Sequence, residues 1–428
     1  MQAAGARLHE AGQIEVVRVR ILMISDVFFP RVNGVSTSIR TFRRELHALG
    51  HTVTLIVPDY GVAHGDDDAD IIRVPSRQVL FDPEDRLMRR DAILGLLPLL
   101  RTRGYDLVHI QTPFVAHYLG LHLARELGVP VLESYHTFFE EYLFHYIPLL
   151  PRAWLRALAR RFSHRQCNAV SGVVVPSSAM LDVLCSYGVT TGIEIIPTGI
   201  ELDEFRQGDG AAFRRQHGIA AQRPLLLFVG RVAFEKNIDF LLRMLVHVRQ
   251  AQPEVLLVIA GQGPAVGHLR TMTQQLAMDQ HVMFLGYLAR DGALQDCYAA
   301  ADLFVFASRT ETQGLVLLEA MALGTPVVST AVMGTRDVVR DGEGAVIASE
   351  DEKAFAEKIT AVLRDDEQRA ALGLTARSYA ARWAAPCLGQ KMAEHYAAIV
   401  AAGSRQRGME PVQGMPLGAT GGTTDITK

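Results

Sequence analysis

Short apolar runs that alternate with amphipathic stretches most strongly limit what this chain can fold into. In the first half, these runs are VVRVRILMIS (16–25), VTLIVP (53–58), LVHI (107–110), VPVLESY (129–135), GVVVPS (172–177) and IEIIP (193–197). Their apolar residues follow one another too continuously for strands with one solvated face. They therefore predict strands that are covered on both sides in a parallel sheet. The intervening segment 34–50 places its large apolar residues on one face of a helix.

The second half repeats this layout with LLLFVG (225–230), VLLVIAG (255–261), VMFLG (282–286), LFVFAS (303–308) and PVVST (326–330). Two such sets predict an α/β fold made of two doubly wound, Rossmann-like domains. The charged, aperiodic segment 197–210 between them is the predicted hinge. The predicted organisation is an N-terminal extension (1–16), a first domain (17–200), a second domain (201–385), a helix that crosses back to the first domain (386–402) and a disordered tail (403–428).

Composition narrows the class of protein further. The chain has 428 residues, with 43 Lys and Arg against 46 Asp and Glu, and its net charge of −3 argues against a generally basic nucleic-acid-binding protein. It contains no apolar run long enough to span a membrane, no secretory signal pattern and no CxxC pair among its four cysteines. We therefore expect a cytoplasmic protein with reduced, buried thiols.

Cations and glycines follow the predicted strands of the second half. Arg231 and Lys236 come after one strand, Gly261 and Gly263 form a turn after the next, and the polar segment 308–314 follows a third. The carboxyl ends of parallel strands form the ligand-binding edge of such a sheet. An arginine and a lysine at that edge can bind a diphosphate, helped by the positive ends of nearby helices. The alternative is that both cations are ordinary surface charges.

The most specific pattern in the chain is ETQGLVLLE (311–319). Glu311 lies in a polar loop, whereas Glu319 lies inside the apolar helical stretch LVLLEAMALG. A carboxylate in such a helix is costly to bury unless it accepts hydrogen bonds, and sugar hydroxyls are suitable donors. The alternative is a pair of solvated glutamates.

Three separated motifs occur in order: SDVFFPRVNGVSTSIRTFRRELHALGHTVTLIVP (25–58), GRVAFEKN (230–237) and ETQGLVLLEAMALGTPVV (311–328). Through these motifs, and over about residues 17–400, the chain resembles the retaining, nucleotide-sugar-dependent glycosyltransferases of family four. The resemblance implies the GT-B fold, in which the two Rossmann-like domains face each other across a cleft and a C-terminal helical segment follows.

The resemblance also implies roles for individual residues. Arg231 and Lys236 are expected to bind the pyrophosphate of the donor, Glu311 the hydroxyls of the transferred sugar, and Glu319 the ribose. His136 matches the active-site histidine of the family, and the alternative is a structural histidine. The residues expected to act in catalysis are His136, Glu311, Arg231 and Lys236. The expected donor-binding residues are Gly34, Arg231, Lys236, Gly261, Gly263, Glu311, Gln313, Gly314, Leu315 and Glu319.

The expected chemistry needs neither a metal nor a cofactor. Breaking a glycosyl–phosphate bond leaves a nucleoside diphosphate, whose growing negative charge is stabilised by fixed cations and dipoles. The aspartates at 66–68 lie in an acidic loop far from the motifs. A nicotinamide-dependent oxidoreductase would need a GxGxxG turn after an early strand, and a P-loop nucleotidase would need GxxxxGK[ST]; the sequence has neither. A non-catalytic sugar- or nucleotide-binding protein remains an alternative.

A basic segment in the first half is a candidate for acceptor or membrane contact. Arg152, Arg156 and Arg160 recur every four residues, and Trp154 lies on another face of the same predicted helix. A basic amphipathic helix with a tryptophan can lie on an anionic membrane surface. The alternative is a domain helix that packs its apolar stripe, every fourth residue from Trp154, on the sheet and leaves its arginines solvated.

The aromatic stretch HTFFEEYLFHYIP (136–148) resembles the corresponding stretch of diacylglycerol glucosyltransferases in the same family. This favours transfer of glucose from UDP-glucose to a membrane lipid such as diacylglycerol. The expected protein is cytoplasmic and peripheral on the inner face of the cell membrane. The alternative within the class is a cytoplasmic mannosyl- or glucosyltransferase that builds a polysaccharide or another glycan.

Overall fold

The structure, a computed structural model, describes residues 18–61, 68–79, 82–138 and 151–408. The predicted N-terminal extension and residues 409–428 of the predicted tail lie outside these ranges. Most of the aromatic stretch that resembles diacylglycerol glucosyltransferases, residues 139–148, also lies outside them.

The strands of the first domain are β1 (Arg20–Ile24), β2 (Thr52–Pro58), β3 (Ile71–Val74), β4 (Ser76–Val79), β5 (Asp82–Met88), β6 (Leu107–Ile110), β7 (Val131–Ser134), β8 (Gly172–Val175) and β9 (Ile193–Ile195). Within the described residues, seven of them form a parallel sheet in the order β3-β2-β1-β6-β7-β8-β9, and β4 pairs with β5 in an antiparallel hairpin. Alternate residues of β1 enter opposite cores, Leu22 and Ile24 on one face and Ile21 and Met23 on the other. This explains the continuous apolar run, because both faces of the strand are buried.

The strands of the second domain are β10 (Leu225–Val229), β11 (Leu256–Ala260), β12 (Val282–Gly286), β13 (Leu303–Phe306), β14 (Val327–Ser329) and β15 (Ala345–Ile347). They form a parallel sheet in the order β12-β11-β10-β13-β14-β15. The prediction of two doubly wound domains is therefore confirmed. The sequence did not predict the edge strands β3 and β15, because they are short, partly exposed and carry a weaker apolar pattern.

The helices are α1 (Gly34–Ala48), α2 (Arg90–Gly95), α3 (Leu97–Arg103), α4 (Val115–Leu127), α5 (Arg152–Cys167), α6 (Ser178–Ser186), α7 (Gly210–Gln216), α8 (Ile238–Ala251), α9 (Val266–Gln275), α10 (Ala293–Ala300), α11 (Leu315–Ala322), α12 (Thr335–Val338), α13 (Glu352–Arg364), α14 (Asp366–Ala380) and α15 (Ala385–Gly408). Helix α1 begins with a capping box between Asn33 and Ser36. It buries Ile39, Phe42 and Leu46 on the face that the sequence predicts. Helix α1 thereby orients its N-terminus, which lies beside the site described below.

The two faces of the first sheet carry different helices. Ile39 of α1 and Met392 of α15 share one core cluster with the sheet, whereas Leu119 of α4 and Ala159 of α5 belong to the cluster on the opposite face. Helices α4 and α5 therefore lie on the same side of the first domain.

The chain passes between the domains twice, and the two crossings are hydrogen-bonded to each other. The Ile200 amide donates to Trp383 O at 2.8 Å, and the Ala385 amide donates to Ile200 O at 3.0 Å. Gly199 is required at this contact, since a Cβ there would lie 2.4 Å from the Ala385 Cα. Helix α15 then returns to the first domain and continues to Gly408, so the predicted start of the tail at residue 403 is wrong.

A buried hydrogen bond fixes α15 to the first sheet. The Tyr396 hydroxyl lies 2.7 Å from His109 Nδ1, and the Ser134 hydroxyl lies 2.9 Å from His109 Nε2. Burial lowers the pKa of His109 well below its usual value, so the ring is neutral. Both ring nitrogens of a buried imidazole are therefore satisfied.

The cysteines are only partly as predicted. Cys167 and Cys297 are buried, but Cys185 and Cys387 are exposed, because α6 and α15 turn these residues away from the core. In the part of the chain that the structure describes, no helix is both long and apolar enough to cross a bilayer.

We predict that Tyr396→Phe lowers the free energy of unfolding by about 1–3 kcal/mol, because it leaves a buried nitrogen of His109 without a partner. Urea denaturation followed by circular dichroism measures the loss. The matched control is Tyr118→Phe, which removes a hydroxyl from a tyrosine that is 59% exposed and should change stability by less than about 0.5 kcal/mol. Equal effects of the two substitutions would contradict the assigned role of Tyr396.

Candidate active site

A cleft of about 760 Å³ lies between the carboxyl ends of the two sheets. The first domain lines it with the loop 30–37 and with residues 136–138. The second domain lines it with the loops that follow β10, β11, β12 and β13. Every one of these segments follows the carboxyl end of a strand, as expected for the ligand-binding edge of a parallel sheet.

An ion pair lies in the second-domain wall of the cleft. Lys236 Nζ lies 2.6 Å from Glu311 Oε1, and both side chains are mostly buried. Asn237, next to the lysine, adopts a left-handed conformation with φ of 56° and donates through Nδ2 to Ala307 O and Glu350 Oε1. These bonds hold the end of the loop that carries Lys236. Arg231 of the same loop also lines the cleft.

Glu319 is a buried carboxylate with two partners that the sequence analysis did not identify. Arg290 Nη2 lies 2.5 Å from its Oε1, and the Tyr298 hydroxyl donates to its Oε2 at 2.8 Å. The charge of Glu319 raises the pKa of Arg290, so this arginine remains a cation. Glu319 is 3% exposed, and the alternative of a solvated glutamate is therefore wrong. Arg290 could have been found from sequence, because it follows the carboxyl end of a predicted strand.

The loop from Glu311 to Gly314 reaches across the cleft to the first domain. The Thr312 hydroxyl donates to His136 O at 3.0 Å. The Gln313 carboxamide makes two bonds to one residue, because its Nε2 donates to Thr198 O at 2.7 Å and its Oε1 accepts from the Thr198 amide at 2.8 Å. Gln313 lines the cleft, as the predicted donor-binding residue would, but its buried amide group joins the two domains.

The two glycines after β11 have different surroundings. Gly261 lines the cleft, and a Cβ there would lie 1.8 Å from Gly230 O. Gly263 is not among the described residues that line the cleft; its Cβ would lie 2.3 Å from Val232 O. Gly263 is therefore explained by the close packing of two loops, and nothing in its position indicates direct contact with a donor.

Two helix N-termini and four cations meet at the cleft. Gly34 at the start of α1 lines it, as do Gly314, which caps α11 with φ of 97°, and Leu315, the first residue of that helix. Among the described residues, the charged ones that line the cleft are Arg31, Arg231, Lys236, Arg290, Glu235, Glu311 and Glu319. Cations and helix N-termini attract a polyanion, whereas carboxylates accept hydrogen bonds from hydroxyls. The cleft is therefore suited to a ligand that carries both phosphates and hydroxyl groups.

His136 lines the first-domain wall of the cleft. Burial lowers the pKa of its imidazole to about 4, so the ring is neutral at neutral pH. Its Nε2 lies 3.2 Å from Gln111 Oε1, and its backbone carbonyl accepts the bond from Thr312. Sequence reasoning identified the histidine but neither of its partners.

Helix α5 exposes the residues that were expected to contact a membrane. Trp154 is 75% exposed and Leu158 is 57% exposed, whereas Leu155 and Ala159 face the core. The alternative in which the stripe from Trp154 packs on the sheet is therefore wrong for these two residues. Arg160 is exposed along with Arg156, and its guanidinium lies 5.5 Å from the centre of the Tyr187 ring. The side chain of Arg152 lies outside the described residues.

Metal-ligating residues are not grouped in the part of the chain that the structure covers. Among the described ranges, no three His, Cys, Asp or Glu side chains are placed so that they could hold one ion. Residues 66–67 of the acidic loop lie outside those ranges.

Comparison with known families assigns both domains. Residues 32–204 match the family described as Glycosyltransferase Family 4, and residues 209–379 match the family described as Glycosyl transferases group 1. Two solved structures share the overall fold. Anabaena HepE with UDP and glucose gives a TM-score of 0.71 at 18% identity over 89% of this chain and 100% of that one. Sucrose-phosphate synthase from Thermosynechococcus elongatus gives 0.72 at 23% identity over 90% and 100%.

Two curated relatives are similar over most of the chain. An alpha-monoglucosyldiacylglycerol synthase of Streptococcus pneumoniae is 37% identical over 320 residues, which cover 73% of this chain and 71% of that protein. A GDP-mannose-dependent alpha-mannosyltransferase of Mycobacterium tuberculosis is 31% identical over 395 residues, which cover 89% and 97%. These matches set aside the alternative of a non-catalytic binding protein. The chain belongs to the glycosyltransferases that join a Family 4 domain to a group 1 domain in the GT-B fold, and it is a hexosyltransferase.

Proposed function

We propose that this protein is a retaining glycosyltransferase that transfers glucose from UDP-glucose to a membrane lipid such as diacylglycerol. One observation carries the donor part of the proposal: a single cleft holds both the Lys236–Glu311 pair and the buried Glu319–Arg290 pair. The first pair suits a diphosphate with a sugar beside it, and the second suits a ribose.

Donor binding would exchange the partners of the first pair. Lys236 and Glu311 neutralise each other in the structure. A diphosphate competes with Glu311 for Lys236, whose ammonium group acts as a point charge. A hydroxyl of the sugar then donates a hydrogen bond to Glu311 in place of the lysine. Arg231, on the same loop, can bind phosphate oxygens with its planar fork. Arg231, Lys236 and Glu311 would therefore contact the diphosphate and the sugar of one nucleotide sugar.

Glu319 keeps the capacity to bind a ribose hydroxyl. Arg290 and Tyr298 each donate to a different carboxylate oxygen, and each oxygen can accept a further hydrogen bond. Because the buried carboxylate of Glu319 pairs with the Arg290 guanidinium, a hydrogen bond from a ribose hydroxyl would be charge-assisted. The site would thus select for the sugar of the nucleotide.

The same groups would stabilise bond breaking. As the glycosyl–phosphate bond lengthens, negative charge grows on the diphosphate, and Arg231, Lys236 and the N-terminus of α11 are held near that charge. Because the leaving group is stabilised in this way, we propose that transfer needs no divalent metal and no cofactor.

The acceptor proposal rests on similarity to the synthase of Streptococcus pneumoniae, whose name specifies glucosyldiacylglycerol. The second candidate is a mannosyltransferase that uses GDP-mannose. It is favoured by the mycobacterial relative, which is less similar but matches along 97% of its own length. Both candidates use the same diphosphate and ribose contacts, so they differ in the base, the sugar and the acceptor.

A lipid acceptor would require the cleft to approach a membrane, and α5 is suited to this. Its exposed Trp154 and Leu158 are flanked by the exposed Arg156, Arg160 and Arg161. Aromatic and aliphatic side chains partition into the interface, while arginines bind anionic headgroups. We therefore propose peripheral contact between this helix and an anionic membrane.

A groove between the β4–β5 hairpin and α4 supports the same orientation. It is lined by Arg77, Arg89, Arg90 and Arg125, and Asp91 is the one carboxylate among its described lining residues. Because α4 and α5 cover the same face of the first sheet, the groove and α5 lie on the same side of the domain. A membrane on that side would meet both.

The test of the main proposal is a product assay. Purified protein is incubated with UDP-glucose or GDP-mannose and with vesicles that contain diacylglycerol, and glycolipids are identified by mass spectrometry. We expect a glucosylated lipid from UDP-glucose, formed at the same rate with EDTA. A mannosylated product alone would favour the second candidate, and loss of activity with EDTA that Mg²⁺ restores would overturn metal independence.

The two glutamates should affect different parts of the donor. Glu319→Ala should weaken the binding of UDP and of UDP-glucose equally, by about tenfold to a hundredfold. The reason is that it removes the charged group that would accept a hydrogen bond from the ribose. Glu311→Ala should weaken the binding of UDP-glucose relative to that of UDP, because it removes the contact with the sugar and frees Lys236 for the diphosphate that both ligands share. Isothermal titration calorimetry measures both, and thermal unfolding checks that each variant is folded. Wild-type affinity of the Glu319 variant for UDP would sink the ribose assignment.

Membrane contact by α5 predicts a loss of vesicle binding. Replacing Trp154, Arg156 and Arg160 with Ser should reduce co-sedimentation with phosphatidylglycerol vesicles at least tenfold, since it removes both the apolar anchor and two cations. Activity on a water-soluble short-chain diacylglycerol should remain.

The matched control carries the same number of polar replacements on the second domain. Leu374, Arg340 and Arg364 are also exposed, and their replacement with Ser should leave sedimentation unchanged. If the α5 variant still binds the vesicles as tightly as this control, α5 is not the anchor.

A further inference from the structure

We propose that Gln111 is a positioning residue that fixes the tautomer of His136, so that Nδ1 is the ring nitrogen that accepts a hydrogen bond. The inference rests on the proposed function, because it assumes that His136 acts at the reacting sugar or acceptor. It adds a residue that the sequence motifs do not include, and it specifies what His136 can recognise.

The geometry places the two side chains at the ends of neighbouring strands. Gln111 directly follows β6, and His136 lies two residues beyond β7, which pairs with β6 in parallel. Gln111 is 4% exposed, and its backbone N–H donates to Ile24 O at 2.9 Å, which ties this residue to β1. The carboxamide therefore approaches the imidazole from a rigid part of the sheet.

The direction of the hydrogen bond follows from the chemistry of its two atoms. Gln111 Oε1 lies 3.2 Å from His136 Nε2, and a carboxamide oxygen can only accept. The imidazole of His136 is neutral and carries one N–H, so that hydrogen must be on Nε2. Nδ1 is left with its lone pair.

A second contact fixes the backbone of the same histidine. The Thr312 hydroxyl donates to His136 O at 3.0 Å, and Thr312 directly follows Glu311 in the loop that crosses the cleft. Thr312 therefore holds the main chain from the second domain, while Gln111 orients the ring from the first. Among the described residues, Gln111 makes the one hydrogen bond to the His136 ring.

The choice of a carboxamide matters for the charge of the ring. Among the described residues, His109 on β6 is a titratable neighbour of His136, and burial keeps the His109 ring neutral as well. A carboxylate at position 111 would favour the imidazolium, whereas a carboxamide accepts the same hydrogen bond without stabilising a positive charge. A neutral ring with an accepting Nδ1 suits a hydroxyl group, since a phosphate oxygen has no hydrogen to donate.

The test compares Gln111→Leu and Gln111→Glu with the wild type. Gln111→Leu should lower kcat about tenfold to a hundredfold, by analogy with the outer hydrogen-bond partners of metal-ligating side chains, with KM for the nucleotide sugar within about twofold. Gln111→Glu keeps the acceptor and should retain much of the activity at pH 8. Its carboxylate raises the pKa of His136, so its rate should fall as the pH is lowered towards about 5.5. In the wild type the pKa of His136 is about 4, so the rate should not fall over this pH range.

A structural control separates positioning from packing. Ser134→Ala, at the end of β7, removes a buried hydrogen bond of 2.9 Å to His109 on the neighbouring strand. Among the described residues, Ser134 makes no hydrogen bond to the His136 ring. The substitution should lower thermal stability and leave kcat within twofold of the wild type. Equal losses of kcat in Ser134→Ala and Gln111→Leu would mean that Gln111 acts only through stability and would overturn the proposal.

The tautomer can also be observed without activity. In protein with ¹⁵N-labelled histidine, the resonance that disappears in His136→Ala identifies the ring. It should show a protonated Nε2 and an unprotonated Nδ1, and Gln111→Leu should abolish this pattern. A proton on Nδ1 in the wild type would overturn the proposal. If His136→Ala keeps full activity while the tautomer is as expected, the proposed role of His136 fails and the positioning by Gln111 stands.

Discussion

The loop from Glu311 to Gly314 is the element on which the rest of the site depends. Its first residue pairs with Lys236, its second binds the carbonyl of His136, its third joins both backbone groups of Thr198, and its fourth caps α11. Four consecutive residues thus connect the cations, the first domain and a helix N-terminus. A shift of this loop would alter contacts in both domains at once, because the four residues that make them are consecutive in the chain.

Glu319 shows how the fold makes a charge available inside an apolar helix. Burying a carboxylate alone is costly, so it persists only with strong donors. Arg290 and Tyr298 supply them, and the Arg290 guanidinium lies 5.7 Å from the ring of Phe205 at the hinge. The ribose position in the proposed mechanism is therefore braced by the segment that joins the two domains.

Much of the architecture was predictable because it depends on local pattern. Continuous apolar runs identified the inner strands, and the rule that ligands bind at carboxyl ends of strands identified Arg231, Lys236 and Glu311 as neighbours. The partners of Glu319 were missed, because Arg290 and Tyr298 precede it by 29 and 21 residues and nothing local links them to it. The helical character of α15 was predicted, but its end was placed too early because the composition becomes polar before the helix stops.

The sequence by itself determined the class of fold, the family and the identity of the cations and carboxylates in the cleft, since these follow from periodicity and from short motifs. Only the tertiary structure decided which of these groups pair. It placed Gln313 between the domains, set Gly263 apart from the cleft, turned Trp154 outward and put Gln111 beside His136. The physical reason is that hydrogen bonds and burial depend on distances between residues far apart in the chain, and those distances are fixed only when the strands take their order in the sheets.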